Sequence, residues 1–183
     1  MKTFAFATTA LALTMTLATG TAHAEVMVGG APMLPTKDIV DNAVNSEDHT
    51  TLVAAVKAAG LVDTLKGKGP FTVFAPVNAG FAALPAGTVD NLLKPENKAA
   101  LTKVLTYHVV PGKFDAKAVT QAIQAGGGKA TLKTVAGGNL TASTEGGKVI
   151  VTDENGGKAT VTIADVMQSN GVIHVVDKVL LPK

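Results

Sequence analysis

One change of period constrains this chain more than any other feature. Up to Gly128 its apolar residues recur mostly at helical spacing, cut into short pieces by Gly and Pro. From Lys129 onward they alternate, through KATLKTV, NLTASTE, KVIVTDENGGKATVTI and NGVIHVVDKVLL, with Gly pairs at 137–138, 146–147 and 156–157 placed as hairpin turns. Helices first and mostly antiparallel strands last predict an α+β fold and exclude a doubly wound sheet.

The helical half divides at its own punctuation. Thr36 is placed to cap TKDIVDNAV, where Ile39, Val40, Ala43 and Val44 form an apolar stripe. Asp48 starts DHTTLVAAVKAAG, which repeats the spacing at Leu52, Val53 and Val56 and stops at Gly60; LVDTLK adds a turn or two. GPFTVFAPVNAGF is a strand broken by Pro76 and followed at once by a helix start. NAGFAALPAG and TVDNLLK are brief helices, and PENKAALTKVLTYHVVPG runs from a helix opened by Pro95 into the β-branched Val109 and Val110. DAKAVTQAIQAGGG is the last helix.

The N-terminus has its own logic. Met1 and Lys2 precede an apolar, Thr-rich run from Phe4 to Ala18 and an Ala22-His23-Ala24 triplet, the build of a secretory signal peptide over residues 1–24. EVMVGGAPMLP has two Gly, two Pro and no period, so residues 25–35 are expected to be a flexible leader ahead of one domain at 36–183. After the signal no apolar run has the length of a membrane span. All 16 basic residues are Lys, set against 14 acids, and Arg is absent, so nucleic acid is not an expected partner. Without Cys, neither disulfides nor thiolate chemistry is available.

Catalytic patterns fail on inspection. GGGKA ends in Ala130 where a phosphate loop needs Ser or Thr, and no G-x-S-x-G elbow exists. DENGG at 153–157 lacks the closing Glu of a calcium loop and reads as a hairpin turn. Ser46, Ser143 and Ser169 have no His and Asp beside them in sequence. His49, near a helix start, is expected to be solvated. His108 and His174 sit on strand-like apolar segments and read as buried rings satisfied by hydrogen bonds, with a partner-facing role as the alternative. With no Cys and no HxH or HxxxH spacing, no metal site and no cofactor are expected.

GPFTVFAPVNAGF, LTYHVVPGK and SNGVIHVVDKVLLP, in this order and at these separations, resemble the two terminal motifs and the central Tyr-His motif of the fasciclin-like domain, over about Thr36 to Pro182. The resemblance, closest to single-domain secreted bacterial members, implies a compact wedge of mainly antiparallel β-strands decorated by short helices. It also implies a monomeric, non-enzymatic adhesion or interaction module, secreted or periplasmic, binding a cell-surface or matrix protein. In integrin-binding animal relatives recognition falls on positions matching Asp165, Val166 and Met167, and on Tyr107 and His108 with Val109 and Val110; the alternative for the first group is that Asp165 caps a turn and Val166 and Met167 fill core. Ile163 and Ala164 depart from those relatives, so the implied surface is general rather than integrin-specific. Val77 stands where members carry Thr or Ser, leaving the helix cap to Asn78 or to no side chain, and Gly80 stands where Ala is usual, at an expected cost in helix stability. A second function class, a carrier of a small apolar or lipid ligand, requires an apolar cavity. A third, a hydrolase using His108 or His174 as base, requires a Ser or Asp side chain within reach of the ring.

Overall fold

The alternating half of the chain folds as a meander, and the helical half contributes the strands that complete it. The structure is a computed structural model and describes residues 25–183; the expected signal peptide lies outside the described residues. Nine strands are described: β1 (Val26–Val28), β2 (Ala31–Met33), β3 (Phe71–Pro76), β4 (Val109–Pro111), β5 (Lys129–Lys133), β6 (Asn139–Glu145), β7 (Lys148–Thr152), β8 (Lys158–Gln168) and β9 (Gly171–Val176). The helices are α1 (Ile39–Ala43), α2 (Thr50–Ala59), α3 (Val62–Lys66), α4 (Asn78–Ala82), α5 (Thr88–Leu92), α6 (Lys98–Tyr107) and α7 (Ala116–Ala125). All but α7 precede His108, so the fold is the α+β arrangement that the period change predicts.

Strands β3 to β9 form one sheet in the order β4-β3-β9-β8-β7-β6-β5. Every pairing is antiparallel except β3 with β9, which run parallel from Phe71↔Gly171 to Pro76↔Val176. The sheet curls until its edges meet, where the Val135 amide donates to the Val109 carbonyl (2.8 Å). Strand β8 makes that curvature possible: its first residues pair with β7, its later ones with β9, and register shifts at Val161/Ile163 and Ile163/Val166 bend it between the two.

Both faces of β3 and β9 are covered. Val73, Ala75, Ile173 and Val175 face a core shared with α1, α2, α6 and Phe81, whereas Phe74 and Val176 face a second core with Val119, Ile123, Leu140 and Val151. Every residue of β9 is buried, which is the pattern of a strand between two layers. Each fully buried Val, Leu or Phe there contributes about 1.5–3 kcal/mol of transfer free energy.

Local signals explain most helix ends. Gly60 takes the left-handed conformation (φ 72°) that closes α2, and the Asp115 carboxylate caps α7 by accepting from the Ala118 amide (2.7 Å). The first helix is capped by Asp38, which accepts from the Asp41 amide (2.8 Å), in place of the expected Thr36. At the strand-to-helix corner no side chain caps α4. Asn78 instead reaches across to α2, where its Oδ1 accepts from the Thr51 amide (3.0 Å) and its Nδ2 donates to the Glu47 carbonyl (2.8 Å). The corner therefore caps its neighbour.

Two expectations need correction. Residues 25–35, read as a flexible leader, hold the β1–β2 hairpin, with Gly29 and Gly30 at its turn and Val28 and Met33 each 3% exposed in the helical core. Gly and Pro mark the turn there, and the strands are too short to show a period. Gly80 is likewise no simple liability. A Cβ at this position would lie 2.9 Å from the Asp177 carbonyl oxygen and 3.1 Å from Lys178 Cα, so only glycine lets α4 approach the chain leaving β9.

Gly80→Ala is therefore expected to destabilise the fold by about 1–3 kcal/mol through overpacking, despite alanine's higher helix propensity. Urea denaturation checks it; an unchanged or raised midpoint would show that the backbone contact yields freely.

Candidate interaction site

The five residues expected to meet a partner fall into two groups, and most of them are interior. Tyr107 is 0% exposed, His108 2% and Val166 1%, while Asp165 and Met167 are half-buried; the flanking Val109 and Val110 are buried as well. In this conformation Tyr107, His108 and Val166 offer no surface to touch. The alternation of a β-strand explains the split at β8, because Val166 points into the helical core and its neighbour Met167 to the other face.

Tyr107 and His108 act instead as clamps. The last turn of α6 carries Tyr107 under the meander, where its hydroxyl donates to the Asn139 carbonyl (2.7 Å) and accepts from the Glu154 amide (3.1 Å). One phenol thus ties the turn before β6 to the turn after β7, and burial pushes its pKa up. Gly138 packs against the ring, for a Cβ there would lie 2.6 Å from Tyr107 Cε2. His108 Nδ1–H donates to the Val104 carbonyl (2.8 Å) and Nε2 accepts from the Leu180 amide (2.9 Å), which defines a neutral tautomer. Asp153 completes this join: Oδ1 accepts from the Asn155 and Gly157 amides and Oδ2 from the Leu181 amide (3.0 Å). That carboxylate, inside the DENGG turn, is spent on backbone.

Asp165 has a comparable internal task with an external consequence. Its φ of 58° is the positive value that Asp and Asn tolerate best among residues with a Cβ. Oδ1 accepts from the Ala116 amide at the start of α7 (2.6 Å), so two acids, Asp115 and Asp165, serve the positive end of that helix. His174 holds the same kink from β9: its Nε2–H donates to the Phe114 carbonyl (2.7 Å), and its ring stacks on Phe74 with centroids 5.6 Å apart. The Asp165 amide points at His174 Nδ1 over a long 3.4 Å. The kink from Ile163 to Met167 is thus braced from behind, and Met167 packs into neither core.

Neither His108 nor His174 meets the requirement for a catalytic base. Both nitrogens of each ring face backbone groups, and no Ser or Asp side chain hydrogen-bonds to either. Among the described residues no three His, Cys, Asp or Glu side chains converge as metal ligands, and no helix is long and apolar enough to cross a membrane.

His49 departs from expectation. It is 3% exposed rather than solvated, with Nδ1 held by Ser46 Oγ (2.8 Å), because the three-residue helical turn Glu47–His49 directs it inward. It lines a cavity of about 80 Å³ between the helices and the β3–β9 layer, walled almost wholly by apolar side chains including Val28, Val56, Leu65, Val73 and Ile173. Periodicity missed His49 because a single turn has too few residues to show one.

All three buried rings are held neutral. Burial pushes His108 down to about 4 and lowers His49 and His174 in the same direction, against the opposing pull of nearby carbonyls and of Asp153, Asp48 and Asp165 respectively. The folded values lie below the unfolded 6.5, so the unfolded chain takes up protons that the native chain refuses.

Against known proteins, the fasciclin domain family matches residues 47–182. Protein sll1483 of Synechocystis sp. is 51% identical over 146 residues, covering 79% of this chain and 73% of that protein. Transforming growth factor-beta-induced protein ig-h3 of Sus scrofa is 36% identical over 81% of this chain, which spans only 20% of its length. A solved domain pair from the insect cell adhesion molecule Fasciclin I superposes with a TM-score of 0.69 at 21% identity, over 79% of this chain and 51% of that one, a likeness of fold.

Stability is expected to be full above about pH 6.5 and to fall as the pH drops toward 4. His108→Ala, which unpairs Val104 and Leu180, is expected to cost about 1–3 kcal/mol at pH 7 and to flatten part of that acid slope. Melting curves across this range check both; a wild-type melting temperature at pH 7 or an unaltered slope would contradict the clamp.

Proposed function

The chain belongs to the fasciclin-domain family, and from that premise we propose that it is a secreted or periplasmic, monomeric, non-enzymatic interaction module that binds a cell-surface or matrix protein through the kink of β8. The observation that carries this reading is the braced kink itself. Ile163, Ala164, Asp165 and Met167 are each half-buried on a segment that two hydrogen-bonded anchors hold rigid. A contact surface fixed before binding loses little conformational entropy on association, and a methionine outside both cores adapts to an apolar partner. Tyr107, His108 and Val166 belong to the same unit as its support, since they hold the meander and the helical core to which the kink is attached.

One solved structure of like fold, from an insect cell adhesion molecule, suggests the partner class. The apolar N-terminal run ending in Ala22-His23-Ala24 supports export. The commitment of both His108 and His174 nitrogens to backbone supports a function without catalysis.

Binding of the labelled protein to intact cells and extracted matrix tests the surface. Met167→Ser should leave the melting temperature nearly unchanged and weaken binding by about tenfold, the scale of one buried anchor. Asp165→Asn, which keeps the acceptor and tolerates the positive φ, should also stay folded, whereas Asp165→Ala should lose about 1–3 kcal/mol by unpairing the Ala116 amide. Unaltered binding by folded Met167→Ser would remove the kink as the contact surface.

A further inference from the structure

The cavity beside His49 contains an unexplained polar atom. Among the described residues, His49 Nε2 is the one buried side-chain nitrogen or oxygen without a hydrogen-bond partner. The Ala75 carbonyl is near enough to the ring to favour its protonation, without reaching hydrogen-bond geometry. Such an atom is costly in a core that is otherwise satisfied, and its ring lines a space walled almost wholly by apolar side chains. Other polar residues along the lining are accounted for: Thr106 Oγ1 donates within α6, both His108 nitrogens are paired, and Ser46 Oγ holds His49 Nδ1.

We propose that this cavity is a binding site for a small apolar molecule carrying one hydrogen-bond-accepting oxygen, a ketone or ether, with that oxygen on His49 Nε2. The tautomer selects the acceptor. Ser46 Oγ–H donating to Nδ1 leaves a proton on Nε2. A water molecule is a poor occupant, because it needs two to four polar partners and the walls are almost wholly apolar. The volume, about 80 Å³, is several times the ~10–15 Å³ a single water requires, and accommodates roughly six non-hydrogen atoms. The lining reaches the exposed Lys57 and Thr64, so α2 and α3 flank a mouth through which a longer tail could extend. This site lies on the helical side of β3–β9, and Val166 of β8 is part of its wall.

Titration of the full chain with 2-hexanone, 2-dodecanone and n-hexane, followed by NMR of the His49 ring and the methyl groups of Val56 and Leu65, tests the assignment. Saturable shifts at all three residues with 2-hexanone, at least tenfold tighter than n-hexane, are expected, and His49→Phe should erase that preference while n-hexane still binds. Tighter 2-dodecanone binding would identify the oxygenated end of a longer chain as the occupant, and equal binding a small molecule. The wild-type comparison needs no variant to fold. Equal affinity for 2-hexanone and n-hexane, or no saturable shift with either ketone, would overturn the proposal.

Discussion

The parallel pairing of β3 with β9 is the constraint on which the rest of the structure depends. It joins residues about one hundred positions apart and places them between two apolar layers, so its backbone must be paired with protein along its length. Glycine makes its start possible: a Cβ on Gly69 would collide with the Asn170 carbonyl, and one on Gly171 with Phe71. Asn170 locks the same end, accepting from the Ile39 amide (3.1 Å) and donating to the carbonyls of Leu65 (2.6 Å) and Gly67 (3.2 Å). Helices α1 and α3 are thereby fastened to the sheet by one amide side chain.

From that layer the two proposed sites extend. On its helical side the cavity exists because short helices leave a gap above β3 and β9 that Val and Leu side chains do not fill. On the other side, β9 carries His174 to the back of the β8 kink, and Phe74 of β3 stacks against that ring. Two of the buried imidazoles share one use: His108 and His174 are neutral connectors whose nitrogens join elements distant in sequence, as His108 joins α6 to the Leu180 amide. Hydrogen bonds of this kind in a dry interior are expensive to leave half-made, which gives the fold a single arrangement.

Much of this was legible wherever the information is local. Gly60, Asp115, Pro95 and the three Gly pairs act within a few residues of themselves, and each marks the helix end or hairpin turn that is observed. The three motifs likewise carry the fasciclin resemblance in contiguous residues, and the fasciclin domain family matches residues 47–182. What escaped the sequence is what depends on distant partners. Nothing near Val28 or Met33 shows that a helical core waits for them, nothing near Gly80 shows the Asp177 carbonyl, and nothing near Asp165 shows that the amide it accepts from is that of Ala116. Tyr107 and His108 were prominent for a sound reason with a different meaning: they are clamps, and their polar atoms face inward.

Hydrogen exchange measured residue by residue under increasing denaturant addresses the β3–β9 pairing most directly. Amides from Val73 to Ala75 and from Ile173 to Val175 should exchange only through global unfolding, with an opening free energy that falls with denaturant as steeply as global stability does. Opening of β9 at low free energy and without denaturant dependence, while β5 to β7 stay protected, would contradict the claim that this pairing holds the two layers together.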